Sequence, residues 1–259
     1  IVSEDSGASL ARAYSENNYR DENLKDLVFV HPGNGGSEVY QSLANKLSNY
    51  YNCYGIDNYN IHNDSKIDDI NELANLYLNE YMNFRKISKL TEPINLAGWS
   101  LGGKITLEIA VILESRGYTQ IYVYLFDTII VDEYLSDLFQ MNDVELSEFK
   151  SNFLEYLSDK YELFYAEKVV SAIYAERMLA NALLTNNLKD TEIILFKATQ
   201  PDNRLSYKNC DEIQAYLKNI PSNNVDKILF NVDKQLQIIN LDCHHGNILE
   251  KEDELVSLT

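Results

Sequence analysis

The sequence predicts an α/β fold: a mostly parallel central sheet with helices on both faces. Three observations predict it. Short apolar runs alternate with helix-length amphipathic stretches along much of the 259-residue chain, which is the pattern of a parallel sheet whose crossovers are helices. The stretch "GWSLG" (98–102) stands between one such run and one such helix, where a sharp strand-to-helix turn calls for glycine. An aspartate ends a later run, and two adjacent histidines follow the last one.

Taken in order, a polar leader runs to about Lys25 and "LVFV" (27–30) opens the sheet. The loop "HPGNGGS", the helical pattern "SEVYQSLANKLSNY" and a short strand ending "NCYGID" complete a β-loop-α-β unit. From Ser65, "SKID" has the spacing of a capping box. Ile70, Leu73, Ala74, Tyr77, Leu78 and Tyr81 then follow at i, i+3, i+4, i+7 and i+8 of one helix face. The strand "PINLAG" (93–98), the helix containing "KITLEIAVILESRG" and the strand "IYVYLFD" (121–127) come next, with Gly117 placed to end the helix. From 132 to 188 there is no strand pattern, only acidic helical segments rich in Tyr, Phe and Leu, which read as a helical insertion. The sheet resumes at "TEIILFKA" (191–198). A helical segment near 211–219 leads to the last strand, "QLQIINLD" (235–242), and to "CHHGNIL".

Composition narrows the function. A formal charge of -18, from 40 acidic against 22 basic residues, argues against nucleic acid or an anionic membrane as the main partner, since both need clustered Lys and Arg. No apolar run approaches the ~18 residues of a membrane span, and the first residues lack the charged start and apolar block of a signal peptide. The expectation is a cytoplasmic protein with no membrane association. Cys53, Cys210 and Cys243 are odd in number and widely spaced, so reduced thiols are expected rather than a disulfide framework or a metal knuckle. The chain starts at Ile rather than Met, as a domain excised from a longer polypeptide or a processed tag would.

The stretch "INLAGWSLGGKITLEIA" (94–110) admits two readings. From Gly98 to Lys104 it is G-x-x-x-x-G-K, most of a phosphate-binding loop, but the position after Lys104 is Ile105, where such loops need a hydroxyl for the magnesium ion. From Gly98 to Gly102 it is G-x-S-x-G, which presents Ser100 as a nucleophile. Only the second reading employs the other segments. A serine needs a base to take its proton and an acid to fix the tautomer of that base. Of the four histidines, His31 and His62 read as loop residues, whereas His244 and His245 both stand after the last strand, and chemistry alone does not choose between them. Asp127 ends an apolar strand at the carboxyl edge of the sheet, where the sites of open α/β folds gather. Asp57 ends an earlier strand and is the alternative acid. Asp132 and Glu133 read as the solvated start of the insertion. Lys104 reads as a packed or solvated helix lysine, and Trp99 as packing beside the elbow.

With these residues in place, the chain resembles the thioesterase domains that terminate nonribosomal peptide and polyketide synthetases, members of the α/β-hydrolase superfamily. The resemblance covers roughly residues 25 to 250. It rests first on "LAGWSLGGKITLEIA", a G-W-S-x-G-G elbow followed by a helix of the A-x-E-x-A kind, and then on "VFVHPGNGG", "YLFDTI" and "CHHGNIL" in the expected order. It implies an α/β-hydrolase fold in a single thioesterase domain over 1–259, with a leader at 1–25 and a lid at about 132–188. It assigns the base to His245, because the G-x-H-x-x-x-L context of the family falls there, although Cys243 replaces the glycine. It also implies a Ser100–His245–Asp127 triad and an oxyanion hole from the backbone N–H groups of Leu101 and Gly33. The substrate would be an acyl or peptidyl chain on the phosphopantetheine arm of a peptidyl or acyl carrier protein, released by hydrolysis or macrocyclisation. No metal or bound cofactor is implied, and the domain would be part of a larger synthetase. In such a family Lys104 acquires a functional alternative, contact with the pantetheine phosphate. The rival readings are a free-standing editing thioesterase, a carboxylesterase, a P-loop nucleotide-binding protein, and a triad-bearing domain kept for protein interaction.

Overall fold

The computed structural model describes residues 9–15, 19–184, 186–202 and 210–257. Seven strands form one sheet: β1 (Ala11–Ala13), β2 (Lys25–Val30), β3 (Tyr51–Ile56), β4 (Ile94–Trp99), β5 (Ile121–Phe126), β6 (Thr191–Ala198) and β7 (Leu236–Leu241). Their order is β1-β3-β2-β4-β5-β6-β7. Every pairing is parallel except β1 against β3. The helices are α1 (Gln41–Leu47), the single turn α2 (Tyr59–His62), α3 (Ile70–Phe84), α4 (Leu101–Ser115), α5 (Glu133–Phe139), α6 (Asp143–Ser158), α7 (Leu163–Asn181), α8 (Cys210–Lys218), α9 (Val232–Gln235) and α10 (Glu252–Val256).

Strand alternation divides the core into two layers. Val28 and Val30 of β2, with Leu96, Val123 and Leu125, face α3 and α4 across Leu73, Tyr77, Ile105 and Ile109. Leu27 and Phe29, with Ala97, Tyr124 and Phe126, face Leu43 and Leu47 of α1 and Leu255 of α10. Because both faces are covered, the central strands are continuously apolar, as in "LVFV" and "IYVYLF". The acidic segment between β5 and β6 forms α5, α6 and α7. Leu157, Ala166, Val169 and Ala172 of α6 and α7 pack on Ile61 of α2, which seats the insertion beside the carboxyl ends of the strands. Among the described residues, no helix is long and apolar enough to cross a membrane.

Two local expectations are corrected. The N-cap of α3 is Asp69, whose carboxylate accepts from the Glu72 N–H at 2.8 Å, and not Ser65. Residues 63–69 are non-helical, held by the Asn60 side chain, which bonds the backbone of Ile67 through both its amide N and its amide O. The polar leader contributes β1, too short to show a strand period, whose Ala11 lies opposite Ile56. Residues 1–8 and 16–18 of the leader lie outside the described residues, as does the Cys210 side chain. Cys53 and Cys243 are free and buried. Gly117 stands just past α4 at φ 84°, the left-handed position that favours glycine at helix ends.

Candidate active site

β4 ends at Trp99 and α4 begins at Leu101, so Ser100 alone makes the turn. Its φ of 56° and ψ of -120° are strained for a residue with a side chain, at a cost of about 1–3 kcal/mol that the surroundings must offset. They do so with a network: Ser100 N–H donates to Phe126 O (3.1 Å), Thr128 Oγ1 donates to Ser100 O (3.2 Å), and Trp99 N–H donates to the buried Tyr40 hydroxyl (2.8 Å). A side chain at Gly98 would collide with the backbone of Gly102 and Gly103, and one at Gly102 with the carbonyls of Val30 and His31. Backbone cannot give way there. One residue between strand and helix leaves no loop to wrap a phosphate, which speaks against the P-loop reading.

The structure separates the two adjacent histidines. His245 opens a 3₁₀ turn, His245–Glu250, that follows β7. Its Nδ1 lies 2.8 Å from Asp127 Oδ2. His244 faces Asp202 instead, at 3.8 Å, and its N–H donates to Asn247 Oδ1. Asp127 follows β5 at φ 46° and is 7% exposed. Its second oxygen, Oδ1, accepts from Ala198 N–H (3.2 Å) and Asn223 Nδ2 (3.1 Å). A carboxylate held on both oxygens fixes the imidazole with Nδ1–H towards Asp127, leaving Nε2 as the basic nitrogen. The Trp99 ring lies 5.6 Å from the His245 ring, centre to centre.

Ser100, Asp127 and His245 line one cavity of about 950 Å³, together with Gly33 and Leu101. Gly33 and the start of α4 are adjacent, since a side chain on Gly33 would lie 3.7 Å from Leu101 Cβ. The insertion supplies Phe139, Phe149 and Ile173 to one wall, and α8 supplies Ile213 and Leu217 to another. Lys104 also lines this cavity but is 2% exposed, and its ammonium donates to the Ala180 carbonyl of α7 at 2.6 Å. Burial pushes it down to about 7. Among the described residues, no group of three or more His, Cys, Asp or Glu is arranged to hold a metal ion.

The other candidates are placed elsewhere. Asp57 accepts from the backbone N–H of Ser37 and of Asn58 and pairs with His62 Nε2 at 3.2 Å. Burial would raise its carboxyl, but these bonds outweigh burial and hold it below the usual carboxylate range. Neither Asp57 nor His62 is among the described residues lining the Ser100 cavity. His31 is 1% exposed, with Nδ1 donating to Pro32 O (2.7 Å) and Nε2 accepting from the Tyr77 hydroxyl (2.6 Å). Burial lowers it from 6.5 to about 4. Between those values the unfolded chain binds a proton here that the folded protein does not. Stability is therefore expected to fall as pH drops through this window, by about 3 kcal/mol in all. Urea midpoints at pH 7 and 5 check this, and His31→Asn should lose the difference.

Several residues that build the site carry no signal in the sequence. Asn223, which orders the Asp127 carboxylate, lies in the polar run "PSNNV"; its φ of 51° suits an asparagine, but nothing local tied it to a strand end 96 positions away. Tyr40 and Thr128 brace the elbow, and each reads as an ordinary helix-start or loop residue.

Residues 25–163 match the family model described as the thioesterase domain. No curated protein sequence matches the chain. Among solved structures, the chain is similar to the NocB thioesterase domain in covalent complex with a fluorophosphonate nocardicin G analog, at 18% identity over 88% of each chain and a TM-score of 0.60. It is similar to the Vlm2 thioesterase domain bound with a dodecadepsipeptide, at 15% identity over 97% of each chain and a TM-score of 0.69. A four-domain nonribosomal peptide synthetase also matches, at 16% identity and a TM-score of 0.66, over 96% of this chain and 20% of that one. The parallel sheet, the elbow after β4 and the helical segment between β5 and β6 together make the α/β-hydrolase fold of these thioesterases.

Proposed function

The chain belongs to the thioesterase domain family, and from that premise we propose that it releases acyl or peptidyl chains carried as thioesters on the phosphopantetheine arm of a carrier protein. The observation that carries this reading is the Asp127–His245 bond in the same cavity as Ser100 on its elbow. In the proposed reaction Ser100 Oγ attacks the thioester carbonyl while His245 Nε2 takes its proton. Charge develops on the carbonyl oxygen, towards the N–H groups of Leu101 and Gly33, donors of a kind worth about 10² to 10³ in rate when one is removed. The carbon–sulfur bond then breaks, the imidazolium returns the proton to the departing thiolate, and the chain remains as an ester of Ser100. Water, or a hydroxyl or amine of the chain itself, attacks that ester with His245 again as base. The ester bond to Ser100 Oγ then breaks, the imidazolium returns the proton to Oγ, and an acid or a macrocycle is freed. These steps call on no metal and no bound cofactor.

Both a domain within a larger synthetase and a free-standing editing enzyme use this chemistry. The similarity to one domain of a four-domain synthetase and to the type II thioesterase BorB (16% identity, TM-score 0.61) supports a carrier protein as partner in either case. The proposed lid is α5 to α7, whose apolar side chains would cover the chain and limit water. The test compares kcat/KM for pantetheine thioesters and for oxygen esters of the same acyl chains. Preference for the thioesters is expected, and equal or reversed preference would favour the carboxylesterase reading.

A further inference from the structure

Glu176 is a buried carboxylate in the Ser100 cavity that the proposed reaction does not use. It sits on α7 and is 4% exposed. Oε2 accepts from the Asn34 N–H at 2.5 Å and Oε1 from Asn58 Nδ2 at 2.6 Å. Asn58 in turn donates to Gly35 O at 3.0 Å and caps α2 through Oδ1, which accepts from the N–H groups of Asn60 and Ile61. The loop after β2 is thereby held at two successive residues, at the N–H of Asn34 and the carbonyl of Gly35. Asn34 directly follows Gly33, and Gly35 is one residue further on. Asn34 has φ 60°, in the left-handed region where asparagine is enriched. A side chain on Gly33 would lie 3.8 Å from Glu176 Oε2 and 3.7 Å from Leu101 Cβ, so the carboxylate and the start of α4 meet across this loop.

One turn further along α7, the Ala180 carbonyl accepts from Lys104, itself one turn beyond Ser100 on α4. The insertion helix is thus bonded to both walls that flank the serine. Among the described residues Glu176 has no cation within 4.0 Å, and burial pushes its carboxyl up to about 7.

We propose that Glu176 is a positioning residue that holds the loop after β2 where the Gly33 N–H can meet the developing oxyanion, so that docking of the insertion and completion of the oxyanion hole are one event. The inference rests on the reading of Ser100 as nucleophile with Leu101 and Gly33 as donors. It makes the insertion part of the catalytic geometry as well as a cover. The bond to Asn34 uses the N–H next to the proposed donor, leaving that of Gly33 free to face the substrate.

The test measures kcat and KM on an acyl-pantetheine thioester, the rate of labelling by a fluorophosphonate, and the thermal midpoint, for the full chain and for Glu176→Ala, Glu176→Gln and Asn58→Asp. Glu176→Ala is expected to lower kcat by about 10- to 100-fold with KM changed less than about twofold. Labelling should slow in parallel, because the phosphonyl oxygen needs the same donors. Glu176→Gln, which keeps one acceptor, should fall between. Asn58→Asp preserves the helix cap but turns an oxygen towards Glu176, and should reproduce the loss even if Glu176→Ala does not fold. Wild-type kcat and labelling with a lowered thermal midpoint would reduce Glu176 to a packing residue, and a rise in KM alone would make it a substrate contact; either overturns the inference. An unlabelled, inactive wild type would instead overturn the nucleophile reading, and this inference with it.

Discussion

Ser100→Ala is expected to lower kcat on an acyl-pantetheine thioester by about 10⁶-fold, the scale of losing the nucleophile of an acyl-transfer triad. What remains should be the slow direct hydrolysis that binding and the oxyanion donors still assist. The fold should be retained. Alanine keeps the Cβ that already fits the turn at φ 56°, and the bonds that brace the elbow run through backbone atoms of residue 100 and through Tyr40 and Thr128. A thermal midpoint near that of the wild type, measured beside the kinetics, separates lost chemistry from lost structure. Turnover within tenfold of the wild type would place the reaction on another residue.

Asp127→Asn is expected to lower turnover by roughly 10⁴-fold with the fold intact, as when the histidine is left in the wrong tautomer. The geometry explains why an isosteric change is so damaging. Oδ1 already accepts from Ala198 N–H and Asn223 Nδ2, so the asparagine oxygen is drawn to that side. Its amide nitrogen is then turned towards His245 Nδ1, which must accept, and the ring proton moves to Nε2, the atom that has to take the proton of Ser100. Proton-detected imidazole spectra check the tautomer directly. Near-normal turnover would remove Asp127 from the reaction, and Asp57 would not replace it in place, since its carboxylate is bonded to His62 and to the N–H groups of Ser37 and Asn58.

What was legible in the sequence is what local chemistry controls. Gly98 and Gly102 are required by a turn of one residue, so the elbow shows in five letters. Apolar runs bounded by turns marked six of the seven strands, because strands buried on both faces must be apolar throughout; β1 escaped by having three residues and pairing only at the sheet edge. Asp69 displaced Ser65 as the cap of α3 because the Asn60 side chain claims the intervening segment, a contact no spacing rule contains. The choice between His244 and His245 turned on which side chain reaches Asp127, a separation of 118 positions. Chemistry of the two residues is identical; only tertiary placement distinguishes them. The same reason hid Asn223 and Glu176. Each is a polar residue whose partner lies on another element, and a single sequence read for periodicity assigns such residues to the solvated face.

The central claim is that Ser100 carries the chain as a covalent ester. The most direct measurement is the intact mass of the protein after brief mixing with a medium-chain acyl thioester of a pantetheine mimic, run beside Ser100→Ala. An acyl-sized gain on the wild type alone is the predicted result, and the products formed afterwards divide hydrolysis from cyclisation. No gain on the wild type, with no thiol released by either protein across a panel of chain lengths, would contradict it.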